Sequence, residues 1–454
     1  MSRTEESLVV CEQCGLAHRW HPVRPRQVAR CDRCEAVLGR GRRLHLEAVL
    51  ALTVTAAILF LIGISTGVLT LRLRGGTEST TLPGAILVAW QDGRPIVATV
   101  AAVTALIAPA VFIALRLYVL TPLAVGRVPP GFAWCVRLLH LASRWSMIEV
   151  FMIGGLLSLV RLSAMADATP GPGLFALGAT TLLFAAIESA GLKHLWWRLP
   201  ATPLGPADRP GDAATATPEL SGPDPASTAA AAAAPLLLGC ESCGLVSANV
   251  LGAGAAGLEQ HCPRCDHALR LAKPLSLQRT WAFAIAAAVF YVPANTLPIM
   301  VTTSAFDRQE HTLLGGIHEL WVDGSWALSI IVFIASIAVP VLKVGALGLL
   351  AWSVKRASRW RRLERARLYR LIELVGHWSM LDVYVVVLLA ATVRFGPLAS
   401  VDAGPALLAF TAVVVLSMLA THSFDPKLIW RDAEPDAGSP PLPFPLPSHE
   451  RQPA

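Results

Sequence analysis

Eight of the nine cysteines fall into four Cys-x-x-Cys pairs, and only Cys135 stands alone. Cys11 and Cys14 are followed after sixteen residues by Cys31 and Cys34, and Cys240 and Cys243 after eighteen by Cys262 and Cys265. Two knuckles at such spacing can bring four thiolates onto one tetrahedral ion at about 2.3 Å. Gly15 and Gly244 follow the first knuckle of each group, where a tight turn lets backbone amides approach the sulfurs. Thiolate tetrahedra suit zinc and iron alike, with zinc the favoured reading. Four protein ligands leave no open position, so the expected role is structural: each ion would fold about thirty residues that cannot otherwise build a core. Disulfides are the competing use and would need an oxidising compartment. His18, His21, His261 and His267 read as bystanders, because four cysteines complete each site. Cys135 reads as a small apolar filler.

The second chemical feature is charge in an apolar setting. Of 454 residues, 54% are hydrophobic and 15% charged, against about 25% charged in an average soluble domain. The charges avoid stretches of about twenty apolar residues, long enough to cross roughly 30 Å of hydrocarbon. An integral membrane protein follows. Lys343, in AVPVLKVGALGLL, and Asp382, in HWSMLDVYVVV, lie inside such stretches. Each costs about 2.5–3.5 kcal/mol to insert and so calls for a partner or a cavity. Their depths differ by roughly 7 Å, within reach of a lysine side chain. With Ser336 and Ser379 they can form one polar cluster, able to meet a lipid headgroup or pass a proton. A structural ion pair or a snorkelling lysine are the plainer readings. The segment YVPANTLPIM carries Pro293, Asn295 and Pro298 and reads as a broken helix end, with the asparagine satisfying freed backbone groups.

The elements that must position these residues are duplicated. RLLHLASRWSMIEVF at Arg137–Phe151 matches RLIELVGHWSMLDVY at Arg370–Tyr384 at an offset of 233, while Pro109 falls on Pro340 at 231 and Cys11 on Cys240 at 229. The expected fold is all-α and membrane-embedded, in two tandem units, each a zinc-ribbon-like module followed by a four-helix bundle, eight spans in total. The modules cover 1–44 and 236–273, and the span units 45–199 and 274–431. A Pro/Ala-rich linker, 200–235, separates the copies, and a Pro-rich tail, 432–454, is expected to be disordered. In the first copy Phe112 replaces the lysine, Arg116 sits one turn nearer the module end, and Glu149 takes the aspartate position. That pair is expected to be shallow and hydrated, leaving the working site in the second copy. Lys and Arg crowd the stretch 355–370, whereas Arg308 is alone in Val301–Ser325. The positive-inside rule then puts both termini and both modules in the cytoplasm. The net charge of +7 is explained by such loops and anionic lipid heads rather than by nucleic acid. No apolar signal core opens the chain. No Walker loop and no GxSxG elbow occur, so neither ATP hydrolysis nor another enzymatic activity is expected.

The doubled unit, YVPANTLPIM, HWSMLDVY and the closing SFDPKLIW resemble the paraquat-inducible protein A (PqiA/LetA-like) family over nearly the whole chain. The resemblance implies a bacterial inner-membrane protein that partners a periplasmic MCE-domain protein, which forms an oligomeric tunnel for phospholipid. It also carries zinc onto the eight cysteines and an intramembrane polar cluster onto Ser336, Lys343, Ser379 and Asp382. The expected function is lipid exchange with that tunnel through a cavity in the second unit, driven by protons relayed through Asp382 and Lys343. Two alternatives stand beside it: an electron-transfer or redox-responsive protein with iron in the cysteine sites, and a passive scaffold for the periplasmic partner.

Overall fold

The computed structural model describes residues 7–20, 23–24, 27–41, 45–73, 76–163, 167–189, 191, 196, 237–248, 260–270, 272–304, 307–322, 324–356, 358, 360–376, 380–392 and 399–430. Expectations for the linker 200–235 and the tail 432–454 lie outside these residues.

The chain is mostly helical. Each cysteine module is two short hairpins: β1 (Ser7–Val10) with β2 (Ala17–Trp20) and β3 (Val28–Arg30) with β4 (Val37–Arg40), then β8 (Leu237–Gly239) with β9 (Val246–Ala248) and β10 (Gln260–His261) with β11 (Ala268–Leu269). The first unit runs through α1 (Leu46–Ser65), α2 (Leu82–Gln91), α3 (Pro95–Ala101), α4 (Ala108–Ala124), α5 (Phe132–Trp145), α6 (Ile148–Ser163) and α7 (Pro172–Ser189). The second repeats the order with α8 (Ser276–Thr296), α9 (Leu313–Val322), α10 (Trp326–Phe333), α11 (Val339–Lys355), α12 (Arg362–Gly376), α13 (Leu381–Thr392) and α14 (Ala406–Ser423). Six helical stretches among the described residues are long and apolar enough to cross a membrane: Leu46–Ser65, Pro95–Ala124, Phe132–Val160, Pro172–Ser189, Ser329–Lys355 and Ala406–Ser423. Helices α8 and α13 stand where the other two expected spans fall.

The all-α expectation needs correcting. Each unit also carries a three-stranded antiparallel sheet, ordered β6 (Gly76–Thr80), β5 (Leu69–Leu73), β7 (Asp167–Pro170) in the first and β13 (Asp307–Thr312), β12 (Pro298–Ser304), β14 (Ala399–Ala403) in the second. The outer strands come from distant parts of each copy, so no local hairpin signal announces the third. Gly171 and Gly404 close the two sheets: their N–H groups donate to the Val68 and Ile299 carbonyls at 3.0 and 2.8 Å. A Cβ at either would collide with a backbone carbonyl, that of Gly67 or Pro298.

The duplication also fixes finer detail. Thr81 and Thr312 each accept from the N–H three residues on, Gly84 and Gly315, both at 3.1 Å, capping α2 and α9. π-helical turns at Ala102–Ile107 and Ile334–Ala338 precede Pro109 and Pro340. Proline lacks the N–H that would bond four residues back and its ring crowds that carbonyl, and a widened turn relieves both.

The units meet through their equivalent helices α6 and α13. The Phe151 and Tyr384 rings pack edge-to-face at 5.5 Å, and the Tyr384 hydroxyl shares a 2.6 Å hydrogen bond with Thr104 Oγ1. Gly154 lets the helices close in: a Cβ there would stand 3.1 Å from that of Tyr384. Met380, Leu381 and every residue from Val383 to Ala390 are buried, so α13 is the central column of the molecule.

Candidate functional site

Both cysteine quartets assemble as expected. All eight thiols are buried and unbridged, and in each quartet the four sulfurs lie within 4.8 Å of one another. The Sγ atoms of Cys11 and Cys34, and of Cys14 and Cys31, are 3.5 Å apart, while Cys240–Cys265 and Cys243–Cys262 stand at 3.4 and 3.5 Å. A tetrahedron with 2.3 Å metal–sulfur bonds has edges of about 3.8 Å, far from the roughly 2.05 Å of a disulfide. Hydrogen bonding between neighbouring thiols pushes Cys11 and Cys262 down and Cys14 and Cys243 up. Four thiolates this close need a cation between them, so each quartet could hold a metal ion.

The knuckle turns follow one rule. Gly15, Glu35, Gly244 and Asp266 all have positive φ, between 55 and 76°, and each donates its N–H at 2.8–2.9 Å to the carbonyl of the first cysteine of its knuckle. The two glycines are legible in the sequence, whereas Glu35 and Asp266 are not. His18, read as a bystander, places Nε2 3.2 Å from Cys31 Sγ and Nδ1 3.6 Å from Asp32. The period-two strand that carries it aims the ring at the sulfur.

The modules dock crosswise. The first buries its cysteines against Leu347, Leu350, Tyr369, Phe424 and Trp430 of the second unit. Arg33 stacks 5.0 Å above Trp430, and Glu35 pairs with Arg367 at 2.7 Å. That guanidinium holds the Glu35 carboxyl below its ordinary value of 4.5. The second module reaches the first unit through Arg264, which donates to the Trp196 carbonyl at 2.6 Å and lies 5.3 Å above its ring, and Trp196 packs edge-on against Phe132. The closing SFDPKLIW segment is the joint. Asp425 accepts from the Lys273 and Lys427 amides at 2.8 and 3.0 Å, and Lys427 reaches Glu241 at 3.4 Å.

The intramembrane residues are brought together only in part. Lys343 is 4% exposed, and its Nζ donates to the Gly376 carbonyl at 3.5 Å. Ser336 lies in the π-turn, fully buried, with no partner for its hydroxyl among the described residues. Asp382 is in α13, but its side chain and the whole of Ser379 lie outside the described residues. The broken helix end differs from expectation. Helix α8 continues to Thr296 with Pro293 in its last turns, and Asn295 Nδ2 donates to the Tyr291 carbonyl at 2.8 Å. Pro298 opens strand β12 instead of lying in the span, a position that needs no donor from it.

The first-copy counterparts also differ from expectation. Arg116 is 3% exposed rather than hydrated. It stacks 4.8 Å above Phe112 and bonds the Ile187 carbonyl at 3.5 Å. Among the described residues no carboxylate is within ion-pair distance of it. Glu149 is exposed, and the two instead line one cavity of about 830 Å³ at the module end of the first unit, together with Arg144, Phe184, Glu188 and Glu373.

Apolar spanning helices in two copies, each headed by a metal-competent cysteine quartet, define a multi-pass membrane protein with paired metal-binding modules. The chain belongs to the paraquat-inducible protein A family, whose profile matches residues 46–200 and 277–434. It is 34% identical over 304 residues to the intermembrane transport protein PqiA of Escherichia coli strain K12, covering 66% of each chain, so it spans about two thirds of that relative's length. It is 27% identical over 421 residues to the lipophilic envelope-spanning tunnel protein A of the same organism, covering 92% of this chain and 90% of the relative. A probable intermembrane transport protein of Haemophilus influenzae is 37% identical over 174 residues, covering 37% of this chain and 41% of the relative. No solved structure matches.

Proposed function

We propose that this protein is the inner-membrane subunit of an MCE-type phospholipid transport system, exchanging lipid with a tunnel built by a periplasmic MCE-domain partner. The names of its relatives, intermembrane transport and envelope-spanning tunnel proteins, support a transport role rather than an enzymatic one. The single observation that carries the mechanism is Lys343, an ammonium buried among apolar helices and held by a backbone carbonyl at 3.5 Å. An ionisable side chain buried inside a span marks a pathway for a polar group. In this reading Asp382 is its counter-ion, Ser336 and Ser379 complete the polar spot, and protons relayed through the pair drive exchange through a cavity in the second unit. Eight spans, with both termini and both modules in the cytoplasm, follow from the distribution of Lys and Arg. Zinc occupies both quartets and folds the modules.

The test is in cells. Asp382→Asn and Lys343→Met should each raise outer-membrane permeability while leaving protein level and co-purification of the periplasmic partner unchanged. A UV-reactive residue at Val339 should attach phospholipid above controls on the outer helix surface. Normal permeability in both variants sinks the relay. A visible absorption band with stoichiometric iron would replace this reading with a redox one, because zinc is colourless.

A further inference from the structure

The cavity at the module end of the first unit is a built polar site inside a membrane protein. Arg116 is buried to 3% exposure and lines it, and its Nε, also buried, has no hydrogen-bond partner among the described residues. Among the described residues its guanidinium stacks on the Phe112 ring, makes a long bond to the Ile187 carbonyl and feels the charge of Glu188 across the cavity. A guanidinium presents five donors in a planar fork that matches phosphate oxygens, and an unfilled donor at this depth is costly. The remaining charges in the wall are mixed: Arg40 of the first module and Arg144 add cations, with His140 and His422 beside them, while Glu149, Glu188 and Glu373 add carboxylates. Three arginines facing three carboxylates match a ligand that carries both signs: a plain anion leaves the carboxylates unmatched, whereas a phosphate linked to an ammonium uses both. The volume, about 830 Å³, lies in the range of pockets that enclose a small ligand. The cavity also reaches the molecule's apolar flank. Ala185 lines it and is exposed, one helical turn from Leu182, which is 74% exposed.

We propose that this cavity binds the zwitterionic headgroup of an aminophospholipid from the adjacent leaflet, its phosphate on Arg116 and its ammonium towards the carboxylates. The first unit is then a lipid-binding unit in its own right, with a chemistry distinct from the lysine site of the second. This rests on the proposed function only in taking the membrane as the source of the ligand.

The full chain, with a UV-reactive residue at Ala185, is placed in nanodiscs of phosphatidylethanolamine or of phosphatidylglycerol, with the same residue at Leu182 as the outward-facing control. Attachment of phosphatidylethanolamine at Ala185 should exceed that of phosphatidylglycerol. It should fall roughly tenfold in Arg116→Gln, the loss of one charge-assisted contact, and recover in Arg116→Lys, while labelling at Leu182 stays constant. Metal content and elution volume of each variant show that it is folded. Equal labelling at the two positions, insensitivity to Arg116→Gln in a folded variant, or equal attachment of phosphatidylglycerol overturns the proposal. So does Arg116-dependent binding of soluble phosphoethanolamine without lipid attachment, which would assign the site to a soluble ligand. If Asp382→Asn and Lys343→Met leave the envelope normal while Ala185 still labels, the transport reading fails and this site stands. If those variants are defective and Ala185 does not label, the site fails alone.

Discussion

At the residue scale, the metal sites were the most legible part of the chain because their chemistry is carried by spacing alone. Two Cys-x-x-Cys pairs separated by sixteen or eighteen residues leave little freedom in what they can build. Their surroundings were less legible. His18 lies seven residues from Cys11 and thirteen from Cys31, and nothing in that separation announces a 3.2 Å contact to sulfur. An imidazole at that distance can donate to a thiolate and steady it. Outer contacts of this kind typically change metal affinity by about 10–100-fold. We therefore expect two zinc ions per full chain by elemental analysis. A chelator titration of His18→Ala should show one site weakened by about that factor and the other unchanged. Equal loss at both sites would mean that the histidine acts through folding and not through Cys31. Arg116 shows the opposite failure. Its residue type and position suggested a hydrated, shallow charge, but the aromatic pair Phe112 and Phe184, 4.9 Å apart, walls it in, and no sequence pattern places those rings.

At the element scale, the helices were legible from apolar runs and the strands were not. Strand β5 alternates as a strand should, but five residues are too short a run to announce a strand, and its partner β7 lies nearly a hundred residues away by number. The sheets depend on Gly171 and Gly404, where a neighbouring carbonyl occupies the space of a side chain. Forcing a methyl group into so tight a site costs about 1–3 kcal/mol. Gly404→Ala should lower the Tm of the purified protein, whereas Gly93→Ala in a connecting turn with open space around it should cost less, and chiefly through its positive φ. A pH dependence belongs at this scale too. The Glu35 carboxyl is held below 4.5 by Arg367 across the seam between the first module and α12. A carboxyl depressed on folding contributes stability above its unfolded pKa and loses it as pH falls through the folded value. Docking of the first module should therefore loosen as pH falls below the ordinary carboxylate value of 4.5 and in high salt. Limited proteolysis of the module would report it, and Glu35→Gln should make proteolysis insensitive to both conditions. Both partners are half-exposed, so the effect is on docking and not on the global fold.

At the scale of the whole molecule, tandem duplication normally suggests two halves that stand side by side, each with its own cap. The crosswise docking removes that independence. The first module rests on Tyr369, Phe424 and Trp430 of the second unit, the second reaches Phe132 through Trp196, and the two units share α6 and α13 as a common wall. Metal in one module should then support the opposite half. Cys31→Ser, which breaks the first quartet, should speed amide exchange in Arg362–Gly376 and in the segment around Trp430 while leaving Leu82–Gln91 protected. Cys262→Ser should speed exchange near Phe132. Trp430→Ala, which empties the socket under Arg33, should reproduce the first pattern with both metals still bound, because truncating a buried aromatic costs about 3–5 kcal/mol. If instead Cys31→Ser loosened the first unit and spared α12, the modules would be capping their own halves. The crossing matters for transport because a lipid that moves helices in one unit would be felt by the module attached to the other. Sites in both units, Lys343 in the second and Arg116 in the first, would then be coupled through the very contacts this exchange experiment measures.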